Sequence, residues 1–138
     1  MTTSNADTNT NPNIGTVKTG RLRILVIEDD QDLGELITFI LAEEGYQADL
    51  ISDGTMAMDW LQNQTPNVIL LDIHLPGVSG LDILHFIRSQ ERMKQTRVMV
   101  TTADEKMAAI CAESADLVFR KPYTVSDLVG GISRLSAH

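Results

Sequence analysis

From Leu22 onward the chain alternates short apolar runs with stretches whose apolar residues recur at helical spacing, and polar turn residues separate the two. Five β-then-α units can be read. Leu22 to Ile27 forms the first strand and runs into Glu28-Asp29-Asp30. A helix over about Asp32 to Glu44 follows, with Leu33, Leu36, Ile37, Ile40 and Leu41 as its inward stripe and Gly45 at the position of a left-handed C-terminal cap. Gln47 to Ile51 reads as a strand. Gly54 to Asn63 reads as a helix with Ala57 and Leu61 inward and Trp60 half-buried, and Pro66 closes that segment. The apolar run Asn67 to Asp72 is the third strand, and the loop Pro76-Gly77-Val78-Ser79-Gly80 leads into a helix carrying Leu81, Ile83, Leu84 and Ile87 at core spacing. Arg97 to Thr102, Asp104 to Glu113, Leu117 to Arg120 and Thr124 to Leu135 complete the series. Thr124 with Asp127 suits a helix N-terminus, while Gly130-Gly131 weakens the helix interior.

Strands separated by helices cannot pair as hairpins, so each connection crosses over, and right-handed crossovers produce a parallel sheet with helices on both faces. The expected class is α/β: a doubly wound five-stranded parallel sheet flanked by five helices. Continuously apolar core strands agree with burial on both faces. Residues 1–20 are rich in Thr, Asn and Ser, with little but Ile14 and Val17 to bury, and are read as a disordered tail. Residues 21–138 are read as one domain. No solenoid-type repeat is present.

Composition narrows the function classes. A chain of 138 residues with 43% hydrophobic content can close one core without disulfides. The lone cysteine, Cys111, has no partner within the chain and is read as a small buried hydrophobe; the absence of a secretory leader points to a cytoplasmic setting. No apolar stretch approaches the roughly 18 to 20 residues that a membrane helix needs. A net charge of −8 and a pI near 4.7 argue against direct nucleic-acid binding. Arg88, Arg92, Lys94 and Arg97 form a loose basic group, read as a solvated face.

Candidate chemistry lies where strands end. Asp72 closes one strand and Glu28-Asp29-Asp30 another, so both acidic ends meet at the carboxyl edge of the sheet, where open α/β folds gather ligand groups. Crowded carboxylates require a cation, and an oxygen-only set points to magnesium. Asp30 can be explained as a helix cap alone. Thr101-Thr102 brings a hydroxyl and Lys121 an ammonium to the same rim. A carboxylate nucleophile, a dication, an ammonium and a hydroxyl together are what phosphoryl transfer to a side chain requires.

The chain resembles the receiver domain of bacterial response regulators over about Arg21 to Leu135, with its flavodoxin-like fold. The resemblance rests on Ile24-Leu25-Val26-Ile27-Glu28-Asp29-Asp30, on Leu71-Asp72-Ile73-His74-Leu75-Pro76 with Gly80, on Thr102-Ala103, and on Lys121-Pro122-Tyr123. It implies that Asp72 is the phosphoacceptor, supplied by a histidine kinase or a histidine phosphotransfer protein. It also implies magnesium on Asp29, Asp72 and the His74 backbone carbonyl, with Glu28 acting through water, and a cis Lys121-Pro122 bond. Thr102 is then the switch hydroxyl and Lys121 the ammonium that pairs with the phosphoryl group. The chain would not be an enzyme in the turnover sense, only self-phosphorylating and slowly self-hydrolysing.

Phosphorylation would shift an inactive-to-active equilibrium and be read at the face of the fourth helix, fifth strand and fifth helix, through which family members also homodimerise. Val118 departs from the family at a position that commonly holds an aromatic coupled to the switch hydroxyl. Phe119 should point to the opposite side of the strand, and Tyr123 either takes part of that role or simply packs. His74 and Asp104 are expected to set the lifetime of the phosphoryl group; His85 and His138 carry no functional reading. The output is a downstream protein target or an output domain of a longer regulator. The alternative reading is a magnesium-dependent aspartyl-nucleophile phosphohydrolase, which needs a second acid two residues after the nucleophile, where this chain has His74.

Overall fold

The structure, a computed structural model, describes residues 21–137; the tail reading for residues 1–20, and His138, lie outside the described residues. Elements follow in the order β1 (Arg23–Ile27), α1 (Gln31–Glu43), β2 (Gln47–Ile51), α2 (Gly54–Leu61), β3 (Val68–Asp72), α3 (Gly80–Ser89), β4 (Arg97–Thr102), α4 (Glu105–Cys111), β5 (Leu117–Arg120) and α5 (Val125–Ser136). A 3-10 turn over Glu91–Met93, not foreseen from the pattern, buries Met93 completely. All five strands are parallel in the order β2-β1-β3-β4-β5, the doubly wound arrangement expected.

Alternation along the strands divides the core into two layers. Ile24, Val26, Leu70 and Met99 face α1 and α5, where Ile37, Leu41, Leu128 and Ile132 meet them. Leu25, Ile27, Ile69, Leu71, Val98 and Val100 face the other helices and pack against Leu61, Ile83, Leu84, Ile87 and Cys111. Val118 joins this second layer while Phe119 joins the first, so the two point to opposite sides of β5 as expected.

Helix ends match local sequence signals. Asp30, Asp53, Ser79, Asp104 and Thr124 each accept a backbone N–H of the following first turn. Thr124 and Asp127 form a reciprocal capping box. Gly45 adopts φ +97°, and the bonds Gly45 N–H to Ala42 O and Tyr46 N–H to Leu41 O close α1 in a Schellman turn. Leu36 is the exception to the predicted stripe. It is 48% exposed, because the 13-residue helix turns only a narrow face inward, centred on Gly34, Ile37 and Leu41.

The basic group read as a solvated face is mostly engaged, which corrects that reading. Arg88 donates to Ser114 O, Thr96 O and the Asp116 carboxylate, which also receives Arg97 and the Val98 N–H. Arg92 donates to Gln64 O, Thr65 Oγ1 and Leu61 O. These side chains tie loops at the edge of the sheet opposite the acidic cluster, leaving only Lys94 largely in water, where it meets Glu91.

Candidate functional site

Parallel register sets the site. Ile27 of β1 lies opposite Leu71 of β3, so the next residue of each strand direction, Glu28 and Asp72, leave the sheet side by side. Asp72 in turn pairs with Thr101 of β4, and Thr102 with Arg120 of β5, which delivers Lys121 to the same edge. Ligand oxygens of Glu28, Asp29 and Asp72 all lie within 4.8 Å of one another. Glu28 and Asp72 are 4% and 2% exposed, whereas Asp29 is open to solvent.

Each buried carboxylate is held by hydrogen bonds. Asp30 N–H donates to Glu28 Oε2 at 3.1 Å, and His74 N–H donates to Asp72 Oδ1 at 3.1 Å. Lys121 Nζ approaches Asp72 Oδ2 at 3.4 Å. Its own backbone N–H is anchored to Thr102 O, and the bond that follows, Lys121-Pro122, is cis as expected. An open cleft of about 460 Å³ lined by Glu28, Asp29, Asp30, Lys121 and Tyr123 leads to the carboxylates.

Burial pushes the Glu28 carboxyl up to about 7, with the neighbouring Asp72 charge adding to the rise while the Asp30 amide and Lys121 oppose it. A lone ammonium therefore does not neutralise the pocket. Three hard oxygen donors with surplus negative charge fit a small divalent cation, and Glu28, Asp29 and Asp72 are the residues able to hold one. The raised value has a consequence for the metal-free protein. Its folded state retains a proton that the unfolded chain, at the ordinary 4.5, has lost. Stability should therefore fall as pH rises from about 4.5 to about 7 and level off above. Denaturant titrations with chelator at both ends of that range check this. Glu28→Gln should flatten the slope, and magnesium should restore stability at the upper end.

The remaining predicted residues are also at this rim or beside it. Thr102 is fully buried; its Oγ1 accepts the Asp104 N–H at 3.0 Å and lies 3.4 Å from His74 Nε2. The Asp104 carboxylate is turned to α4, where Oδ1 accepts the amides of Lys106 and Met107. Asp30, likewise, caps α1 through Leu33 N–H while lining the cleft. Val118, on the strand that α4 contacts, packs against the second core layer, as do Met107 and Ala115. Tyr123 does something its sequence position did not announce. Its ring packs in the α1/α5 layer, yet its hydroxyl is buried without a well-directed hydrogen bond, beside Thr101 and the acidic pocket. Burial first, then the Glu28 and Asp72 charges, push its pKa up to about 12. The contact between His74 and Thr102 was also missed, since no local pattern links residues so far apart.

The sequence profile of the response regulator receiver domain matches residues 24–133. The DNA-binding response regulator MtrA of Mycobacterium tuberculosis H37Rv is 32% identical over 114 residues, covering 83% of this chain and 50% of that protein. The chain thus spans about half the length of the curated relatives it matches. The response regulator protein TrrA from Thermotoga maritima, solved in complex with Mg(2+)-BeF, is 29% identical with a TM-score of 0.73 over 83% of this chain and 98% of that one. The chemotaxis response regulator CheY4 of Vibrio cholerae, at 21% identity, shares the fold with a TM-score of 0.75 over 84% of this chain and 99% of its own. The chain belongs to the response regulator receiver domain family.

Proposed function

We propose that this chain, with its domain at residues 21–138, is a phosphorylation-driven signalling module in which Asp72 is the phosphoacceptor. The observation that carries the reading is the carboxylate of Asp72, almost fully buried, backed by Glu28 and Asp29 and faced by Lys121. An Asp72 oxygen attacks the phosphorus of a phosphohistidine on a histidine kinase or phosphotransfer protein. The new O–P bond forms as the P–N bond breaks, and the imidazole leaves with its electron pair. Glu28, Asp29, Asp72 and the His74 backbone carbonyl would hold Mg2+, which supplies positive charge against the transferred oxygens. Lys121, already beside Asp72, pairs with the phosphoryl group once it arrives, and Thr102 donates its hydroxyl to it.

The signal leaves through the loops that carry Thr102 and Lys121, toward α4, β5 and α5, where a homodimer or a downstream protein would read it. Val118 leaves no aromatic at the usual coupling position, and Tyr123 is placed to substitute in part. His74 and Asp104 set how long the phosphoryl group survives. The acidic surface makes direct nucleic-acid binding by this domain unfavourable; the DNA binding in MtrA's name belongs to a protein of which this chain matches 50%. No helix among the described residues is long and apolar enough to cross a membrane, and we place the module in the cytoplasm. Catalysis is confined to its own phosphorylation and the hydrolysis of that phosphoryl group: the residue two beyond Asp72 is His74, so the general acid of the alternative phosphohydrolase is missing.

Incubation with magnesium and acetyl phosphate, followed by intact mass measurement, should add one phosphoryl group, and chelator should prevent it. Continuous phosphate release from simple phosphate esters would point to the hydrolase instead.

A further inference from the structure

His74 is held at both ends of the site. Its backbone N–H donates to Asp72 Oδ1 at 3.1 Å, while its ring Nε2 lies 3.4 Å from Thr102 Oγ1. Thr102 is otherwise shut away. Its side chain is fully buried, and among the described residues its hydroxyl bonds only to the Asp104 N–H and to His74. A hydroxyl has one proton and two lone pairs. The Asp104 amide occupies one lone pair, so toward His74 the hydroxyl presents its proton and its second lone pair, and with the ring protonated on Nδ1 it is the proton that Nε2 takes.

We propose that His74 is a positioning residue that accepts the Thr102 hydroxyl proton through Nε2 and so holds the hydroxyl off a phosphoryl group on Asp72. This rests on the reading of Asp72 as phosphoacceptor. The oxygens of a phosphorylated Asp72 are acceptors, and the only proton Thr102 can offer them is the one His74 takes. The two acceptors exclude one another. At 3.4 Å the bond to His74 is long, and the His74 side chain is exposed to water, so the ring can swing out without opening the core. His74 thereby adds to the work of activation, separately from any effect on water access to the phosphoryl group.

Beryllofluoride with magnesium tests this without any hydrolysis step. His74→Ala should bind it about 3- to 10-fold tighter than the unsubstituted protein, as expected for release of one hydrogen bond. His74→Gln, which keeps an acceptor of similar reach, should stay close to the starting affinity, and the gain from His74→Ala should vanish in a Thr102→Val background. Nitrogen-15 spectra should show His74 Nε2 unprotonated in the free protein and altered once beryllofluoride binds. If His74→Ala changes only the rate of phosphoryl loss, with beryllofluoride affinity unmoved, the competition is wrong and the receiver reading stands. If the unsubstituted protein neither binds beryllofluoride nor accepts a phosphoryl group, both fall together.

Discussion

Asp72→Asn is expected to take up no phosphoryl group from acetyl phosphate and magnesium, while remaining folded. The amide occupies almost the same volume as the carboxylate, so β3 and its neighbours need not move. What disappears is the anion that attacks phosphorus, and an amide oxygen is a far weaker nucleophile. The substitution also removes a charge that is 2% exposed and that helps to raise the Glu28 carboxyl. The metal-free variant should therefore be more stable than the unsubstituted chain at neutral pH, and its pH slope shallower, because a buried charge has been deleted from a crowded site. Lys121, paired with Asp72 at 3.4 Å, is one-third exposed and can turn to water. Intact mass and denaturant titration measure the two effects independently. Equal labelling of Asp72→Asn would locate the phosphoacceptor elsewhere and undo the assignment.

Gly80→Ala should destabilise the fold by about 3 kcal/mol, the upper end of what overpacking usually costs, because the groups it meets cannot move aside. Gly80 starts α3, and its N–H donates to Ile73 O at 3.1 Å. An added Cβ would lie 2.6 Å from Ile73 Cα, 2.7 Å from Asp72 O and 2.9 Å from Ile73 O. All three are backbone atoms, with no flexible side chain to yield. The strand end would have to shift, and that strand end carries Asp72. A lowered denaturant midpoint with an unchanged m-value, together with slower labelling by acetyl phosphate, is the expected pair of results. A midpoint within experimental scatter of the unsubstituted protein would show that α3 has more freedom at its start than this packing allows.

Gly80 illustrates how legibility divides. Its place after a strand, a proline and a loop marks it as the start of a helix, but only the structure shows that its Cα abuts the backbone behind Asp72. Strands β2, β4 and β5 match their sequence boundaries because β-rich runs there are bracketed by clear turn residues. Helix α4 is shorter than its pattern, covering Glu105–Cys111 rather than Asp104 to Glu113, since Asp104 is spent as the cap and the last turn frays. Leu36 fits a helical stripe on paper and stands in water. Arg88 and Arg97 read as surface charge, and only the fold brings Asp116 to meet them.

The residue order alone established the five alternating units, the helix caps at Asp30 and Thr124, and which side chains arrive at strand ends: Glu28, Asp29, Asp72, Thr102 and Lys121. Those signals are local, set by period, turn chemistry and capping within a few residues. Strand order and register decided the rest, by bringing Glu28 beside Asp72, lifting its carboxyl to about 7, and setting the His74 ring against Thr102. Proton affinity and hydrogen-bond partnership depend on burial and on groups distant in the chain, so they exist only once the sheet has closed.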